Sequence, residues 1–141
     1  MSLKNVELLR RWIDAYNARD VEAFISYCHP EIELHSAFAA VGGAVYHGHD
    51  GMREFFRDFE EVWGDQVHGE PEAYFDLGES TLCFYVLRGR GRGSGAEVAM
   101  PSALVARYRA DLLVYVKAYA HREDALAELG VSVEALERIE P

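Results

Sequence analysis

The eighteen residues from Tyr46 to Trp63 constrain this chain more than any other stretch. Asp50 is a good helix N-cap, because its carboxylate can accept a bond from an unpaired N–H of the first turn. Beyond it Met52, Phe55, Phe56, Phe59, Val62 and Trp63 recur at three- and four-residue steps. That spacing gathers them on one helical face and leaves Arg53, Glu54, Arg57, Asp58, Glu60 and Glu61 on the other. Four aromatic rings on one short helix exceed what a packing stripe needs. They either fill a core or wall a hollow in which an apolar molecule sits.

The flanking pattern puts helices first and strands after. Residues 4–18 read as an amphipathic helix with Val6, Leu9, Trp12, Ile13 and Tyr16 on one side. Asp20 caps a short second helix carrying Phe24, Ile25 and Tyr27, which Pro30 stops. Residues 31–36 alternate as a strand, and residues 37–45 form an Ala/Gly loop into the aromatic helix. After Trp63, strands are expected over 67–75, 81–88, 97–109 and 112–120, then a helix over 122–129 ended by Gly130. Ser132 caps a terminal turn. There is no internal repeat, linker or second domain, so residues 1–141 form one unit. Helices followed by an antiparallel meander make an α+β domain. The simplest packing curls the sheet into a cone around the aromatic helix, and such clefts are where small ligands bind.

Charge and composition narrow the partners. A formal charge of −10 argues against nucleic acid, whose phosphates need a basic surface, and against anionic membranes. No apolar run approaches a membrane span, and no signal-peptide core opens the chain. Cys28 and Cys83 are the two cysteines, each among apolar neighbours and without metal or redox spacing. Two buried free thiols in a reducing cytoplasm fit this pattern.

Three stretches invite chemistry. The run from Gly89 to Gly95 looks like a phosphate loop but leads into a strand, so it offers no helix N-terminus to an anion. A flexible hairpin with solvated arginines is the reading taken. His47, His49 and Glu54 mimic a metal-binding spacing, yet Glu54 faces outward from a helix, so no metal and no cofactor is expected. His35 near Glu31 and Glu33 could do acid–base work, although Ile32 and Leu34 are the inward pair on that strand. Tyr16 and Tyr46 each place a hydroxyl on an apolar wall.

Taken in order, the Asn17-Ala18-Arg19-Asp20 turn, the His29–Glu33 strand entry, the Tyr46–Gly51 run before Phe55-Phe56, the Gly89–Gly95 hairpin and the Arg122–Val131 ending resemble the SnoaL-like branch of the nuclear transport factor 2-like superfamily. The resemblance implies a cystatin-like, NTF2-like α+β cone: a curved antiparallel sheet wrapped by helices around an apolar cavity. It also implies a homodimer through the outer sheet face. Related folds include polyketide cyclases, ketosteroid isomerases, epoxide hydrolases and scaffolds without activity, so the fold does not choose among them. In the isomerases a helix tyrosine, a strand aspartate as base and a protonated aspartate map here to Trp12, Ser36 and Leu104. An epoxide hydrolase would need acids and an arginine where Ser102 and Leu104 stand. His121 replaces an aspartate common before the last helix.

The expected function is therefore a cavity protein for a small, mostly apolar molecule. Its wall is expected to include Trp12, Tyr16, Tyr46, Phe55, Phe56, Phe59, Trp63, Phe84 and Leu104. A cyclase- or isomerase-type enzyme acting on a small hydrophobic carbonyl compound is the alternative, with His35, Arg88 and His121 as candidate catalytic groups. Arg88 enters if Leu82, Phe84, Val86 and Arg88 form the inner face of their strand. A non-catalytic dimerisation module is the third reading. In the dimer, Val114, Val116, Ala118 and Ala120 would line the cavity. Tyr115, Lys117 and Tyr119 would then face the partner.

Overall fold

The computed structural model describes residues 3–37, 44–64, 67–90 and 95–141. Helix α1 (Leu3–Asn17) and α2 (Val21–Ser26) come first, then strands β1 (Cys28–Ser36) and β2 (Ala44–His47), and helix α3 (Gly48–Trp63). Strands β3 (His68–Asp76), β4 (Ser80–Arg90), β5 (Glu97–Arg109) and β6 (Leu112–Tyr119) follow. Helix α4 (Arg122–Leu129), a 3-10 turn (Val133–Ala135) and a short β7 (Arg138–Ile139) complete the chain. The strands form one mixed sheet in the order β2-β1-β6-β5-β4-β3-β7. Every pairing is antiparallel except that of β1 with β6.

Helix α3 begins three residues earlier than the Asp50 cap would place it. His47 takes the extended N-cap conformation, Gly48 has φ +70°, and Asp50 sits exposed in the first turn. Gly51 is needed here for another reason: a Cβ would lie 3.1 Å from the Tyr46 carbonyl carbon. His49 Nε2 lies 2.9 Å from the Cys28 carbonyl oxygen, tying the helix entrance to the start of β1. Asp20 does cap α2, its carboxylate accepting from the Ala23 N–H at 3.1 Å. That helix ends at Ser26, and Pro30 lies inside β1 instead of stopping it.

Two cores lie on opposite faces of the sheet. On the inner face α1, α2 and α3 bury Leu9, Trp12, Phe24, Met52, Phe55 and Phe59 against Cys83, Tyr85 and Leu104. On the outer face α4 and the chain end cover Phe75, Leu82, Phe84, Val105 and Tyr119. Strand β4 runs between them, and residues 81–87 are all buried. The face carrying Leu82, Phe84, Val86 and Arg88 is thus the outer one, because Cys83, Tyr85 and Leu87 pack against the helices.

Strand β6 also departs from simple alternation. Leu113 and Val116, three residues apart, both reach the inner core, because β6 carries an extra residue, Val114, between Leu113 and Tyr115, which pair with the consecutive Tyr108 and Arg107 of β5. Val114 therefore does not belong to the cavity side with Val116 and Ala118. Tyr119 is not open to a partner subunit either: it is 8% exposed beneath α4, and its hydroxyl donates to the Glu128 carboxylate. Among the described residues no helix is long and apolar enough to cross a membrane.

An aromatic-walled candidate site

The turn between α1 and α2 locates the site. Asn17 closes α1, and its side-chain amide behaves like one residue of an added strand. Its Nδ2 donates to the Gly69 carbonyl at 2.8 Å, and its Oδ1 accepts from the Gly69 N–H at 2.9 Å. Arg19 takes a left-handed conformation with φ 57°, which turns its side chain back over the helix end. Its guanidinium donates to the carbonyls of Tyr16 and Val67 and lies 4.6 Å from the Tyr16 ring centroid. The turn therefore fastens α1 to the start of β3, and Tyr16 and Gly69 meet across a hollow.

That hollow is a cavity of about 70 Å³ between the helices and the inner sheet face. Trp12, Ile13 and Tyr16 of α1, Phe24 of α2, and Phe55 and Phe59 of α3 form one wall. Leu34, Ser36, Gly69, Tyr85, Leu87, Leu104 and Ala118 of the sheet form the other. The rings brace one another: Trp12 stacks on Phe24 at 4.4 Å, and Tyr16 meets Phe59 edge-on at 5.5 Å between centroids. Among the described lining residues the polar side-chain groups are the Trp12 indole, the Ser36 hydroxyl and the phenols of Tyr16 and Tyr85. Burial pushes both phenols well above the usual tyrosine range. Each stays protonated at neutral pH and can only donate or accept a neutral hydrogen bond.

The sequence expectations fall into three groups. Trp12, Tyr16, Phe55, Phe59 and Leu104 line the cavity. Tyr46, Phe56 and Trp63 stand behind that lining: Tyr46 is buried against Phe55 and donates to Asp58 at 2.8 Å, while Phe56 meets Phe24 edge-on. Trp63 is half-buried beside Phe59. Phe84 lies across the sheet, in the outer core against Phe75. Ala118, expected on the cavity side of the last strand, does line it, whereas Ile13, Phe24, Leu34, Gly69, Tyr85 and Leu87 are additions to the expected wall. Strand alternation through Tyr85 and Leu87 held the missing signal, once the inner face was known.

The candidate catalytic groups lie elsewhere. His35 is on the outer face, its ring 5.3 Å from that of Tyr115 and its Nε2 3.4 Å from Glu33. Arg88 pairs with Glu70 at 2.8 Å on the exposed side of β3 and β4, and holds that carboxyl below its ordinary range. His121 is exposed at the start of α4. The cavity instead collects Trp12, Ser36 and Leu104. These are the three positions that the family resemblance sets against the isomerase residues, and they carry an indole, a hydroxyl and an isobutyl group. Among the described residues no group of three His, Cys, Asp or Glu side chains could hold a metal. The Gly89–Gly95 run reaches residues 91–94, which lie outside the described residues.

Solved structures share this architecture. An NTF2-like protein of unknown function from Burkholderia pseudomallei superposes with TM-score 0.76 at 18% identity, over 90% of this chain and 97% of that one. TerC, co-crystallised with polyporic acid, gives TM-score 0.75 at 19% identity over 89% and 97%. A protein of ketosteroid isomerase-like fold from Catenulispora acidiphila, in complex with trimethylamine, gives 0.72 at 17% over 91% and 95%. A search of curated protein sequences returns no match. A family model for the SnoaL-like domain matches residues 9–116, which span both walls of the cavity up to β6. This chain belongs to the SnoaL-like domain family.

Proposed function

We propose that this protein binds a small, mostly apolar organic molecule in the cavity between α1, α3 and the inner sheet face. The observation that carries the reading is the wall itself: six aromatic side chains, from Trp12, Tyr16, Phe24, Phe55, Phe59 and Tyr85, converge on one hollow. An apolar guest there exchanges water for aromatic surface, worth roughly 25 cal/mol for each Å² removed from water. The hydroxyls of Ser36, Tyr16 and Tyr85 supply orientation, not acid–base chemistry. Tyrosines held above their usual range and an aliphatic hydroxyl are not themselves bases that abstract a carbon-bound proton near neutral pH. Two proteins of the same fold have structures with small organic molecules, TerC with polyporic acid and the Catenulispora protein with trimethylamine, which agrees with a binding role.

The test is native mass spectrometry of freshly purified protein, followed by titration of any copurifying compound into the stripped protein. A bound small molecule lost on Trp12→Ala supports the reading. A robust double-bond shift in a ketosteroid assay would replace it with an isomerase.

A further inference from the structure

Gly69 has no evident reason to be a glycine except the space it leaves. It lies in β3 opposite Leu87, its partner on β4, so a side chain at either position points to the same face. Leu87 lines the cavity, and so does Gly69. The backbone does not demand glycine, because Gly69 is not among the residues with positive φ. Neither does packing. A Cβ built at Gly69 meets nothing nearer than Tyr85 Cδ2 at 3.6 Å, an ordinary van der Waals contact. The bonds from Asn17 use only the backbone N–H and C=O of Gly69 and would survive a side chain. Glycine inside a strand weakens it, by losing more freedom on folding and by packing nothing. A strand residue that costs stability and answers no local constraint marks a place where something else comes close.

We propose that Gly69 is the specificity-determining residue of the cavity, the missing side chain being where one apolar end of the ligand rests against the Tyr85 ring. This rests on the binding role proposed above. The ligand class it selects is a compact hydrocarbon-like molecule whose end group replaces a side chain. At about 70 Å³ the hollow holds on the order of five water-sized groups, so the volume at Gly69 is a large share of the whole.

The experiment measures thermal stability and the binding of two probes, xenon and benzene, by NMR, for the unmodified protein, Gly69→Ala and Gly69→Val. Both probes enter dry apolar cavities. The expected result is opposite signs. Gly69→Ala raises Tm by about 2–4 °C, as replacing a strand glycine should. It weakens benzene about tenfold, in line with overpacking, and leaves xenon within about threefold because a smaller guest still fits. Gly69→Val excludes both probes while remaining folded. A lower Tm for Gly69→Ala would make the glycine structural and overturn the inference. Unchanged benzene binding in Gly69→Ala would overturn it equally, while leaving the binding role of the cavity standing. Failure of the unmodified protein to take up either probe would overturn both.

Discussion

Arg122 Nη2 donates to the backbone carbonyl of Tyr85 at 2.9 Å, joining the first residue of α4 to strand β4. Nε of the same guanidinium donates to the Ser102 carbonyl at 3.0 Å, and Nη2 pairs with Glu72 at 2.8 Å. Tyr85 and Ser102 face each other in the β4–β5 ladder. β3 slips its register between Pro71 and Ala73 beside Tyr85, and β6 ends at Tyr119, opposite Ala103. The planar fork of arginine spans these two facing residues, where β3 bulges on one side and β6 ends on the other.

Arg122→Ala is accordingly expected to destabilise the fold by about 2–4 kcal/mol, because two buried carbonyls and one carboxylate lose their donor together. Arg122→Lys recovers little, since a single ammonium cannot span both carbonyls. Urea unfolding midpoints measure both. Equal stability of the three proteins would show that water replaces the guanidinium.

Asn17→Asp keeps the side chain's shape but sets a carboxylate oxygen against the Gly69 carbonyl, where an N–H now donates at 2.8 Å. The loss of one bond and the new repulsion are expected to cost about 2–3 kcal/mol. Benzene binding should fall as well, because the turn holds Tyr16 and Gly69 on opposite sides of the cavity. Hydrogen exchange at the Gly69 amide reports the loosening directly.

Phe56 and Phe59 separate packing from lining. Phe59 borders the cavity, whereas Phe56 packs behind it against Phe24. Phe56→Ala should cost about 3–5 kcal/mol of stability, with little change in probe binding once the protein is folded. Phe59→Leu should cost less stability and alter probe affinity more, and Arg57→Ala should change neither. Calorimetry with benzene on the three variants decides; equal effects would mean the stripe is not a wall.

Both thiols should be unreactive in the folded protein. Burial pushes the Cys28 thiol up to about 12 and raises that of Cys83 as well. Their folded pKa values lie above the unfolded ones, so their contribution to stability is complete below the unfolded value of 9.0. It is lost as pH rises from there through about 12. A thiol-specific reagent at neutral pH should label neither cysteine until denaturant is added, and alkaline unfolding should set in above pH 9.0. Rapid labelling of one thiol in native protein would refute the burial argument.

If two subunits join through the outer sheet face, the strip left by α4 is narrow and centred on Tyr115. Arg107 lies 4.8 Å above its ring, and His35 beside it. Tyr115→Asp should then dissociate the dimer in light scattering, and Tyr119→Asp should instead unfold the α4 contact within one chain. A monomer mass for the unmodified protein removes this interface.

Helix α3 is legible from its apolar period of three and four, although its entrance lies before Asp50 and Val62, read on the apolar face, is 43% exposed. The inner face of β4 was not legible. Its residues 81–87 are buried on both sides, so alternation carries no contrast between core and solvent, and Phe84 reads as well as Tyr85 for the cavity. Strands β2 and β7 are four and two residues long, too short for a period to emerge. Helix α4 was placed correctly, but its role as cover for Tyr119 depends on tertiary packing that no local pattern encodes. The positions matched to the isomerases by resemblance, Trp12, Ser36 and Leu104, lie together on the lining of one cavity, beside Tyr16, Phe55 and Phe59 from the helical pattern.

The double burial of β4 makes the cavity mechanically lopsided. Its sheet side is clamped from behind by α4 and by the Arg122 fork, so displacement there would disturb two cores at once. Its helix side is held near Gly69 by the few polar bonds of one turn, with solvent beyond. A guest larger than the resting hollow would therefore gain room by swinging the end of α1 outward, not by bending the sheet. Such breathing would leave α4 still, and Tyr16 would travel farthest.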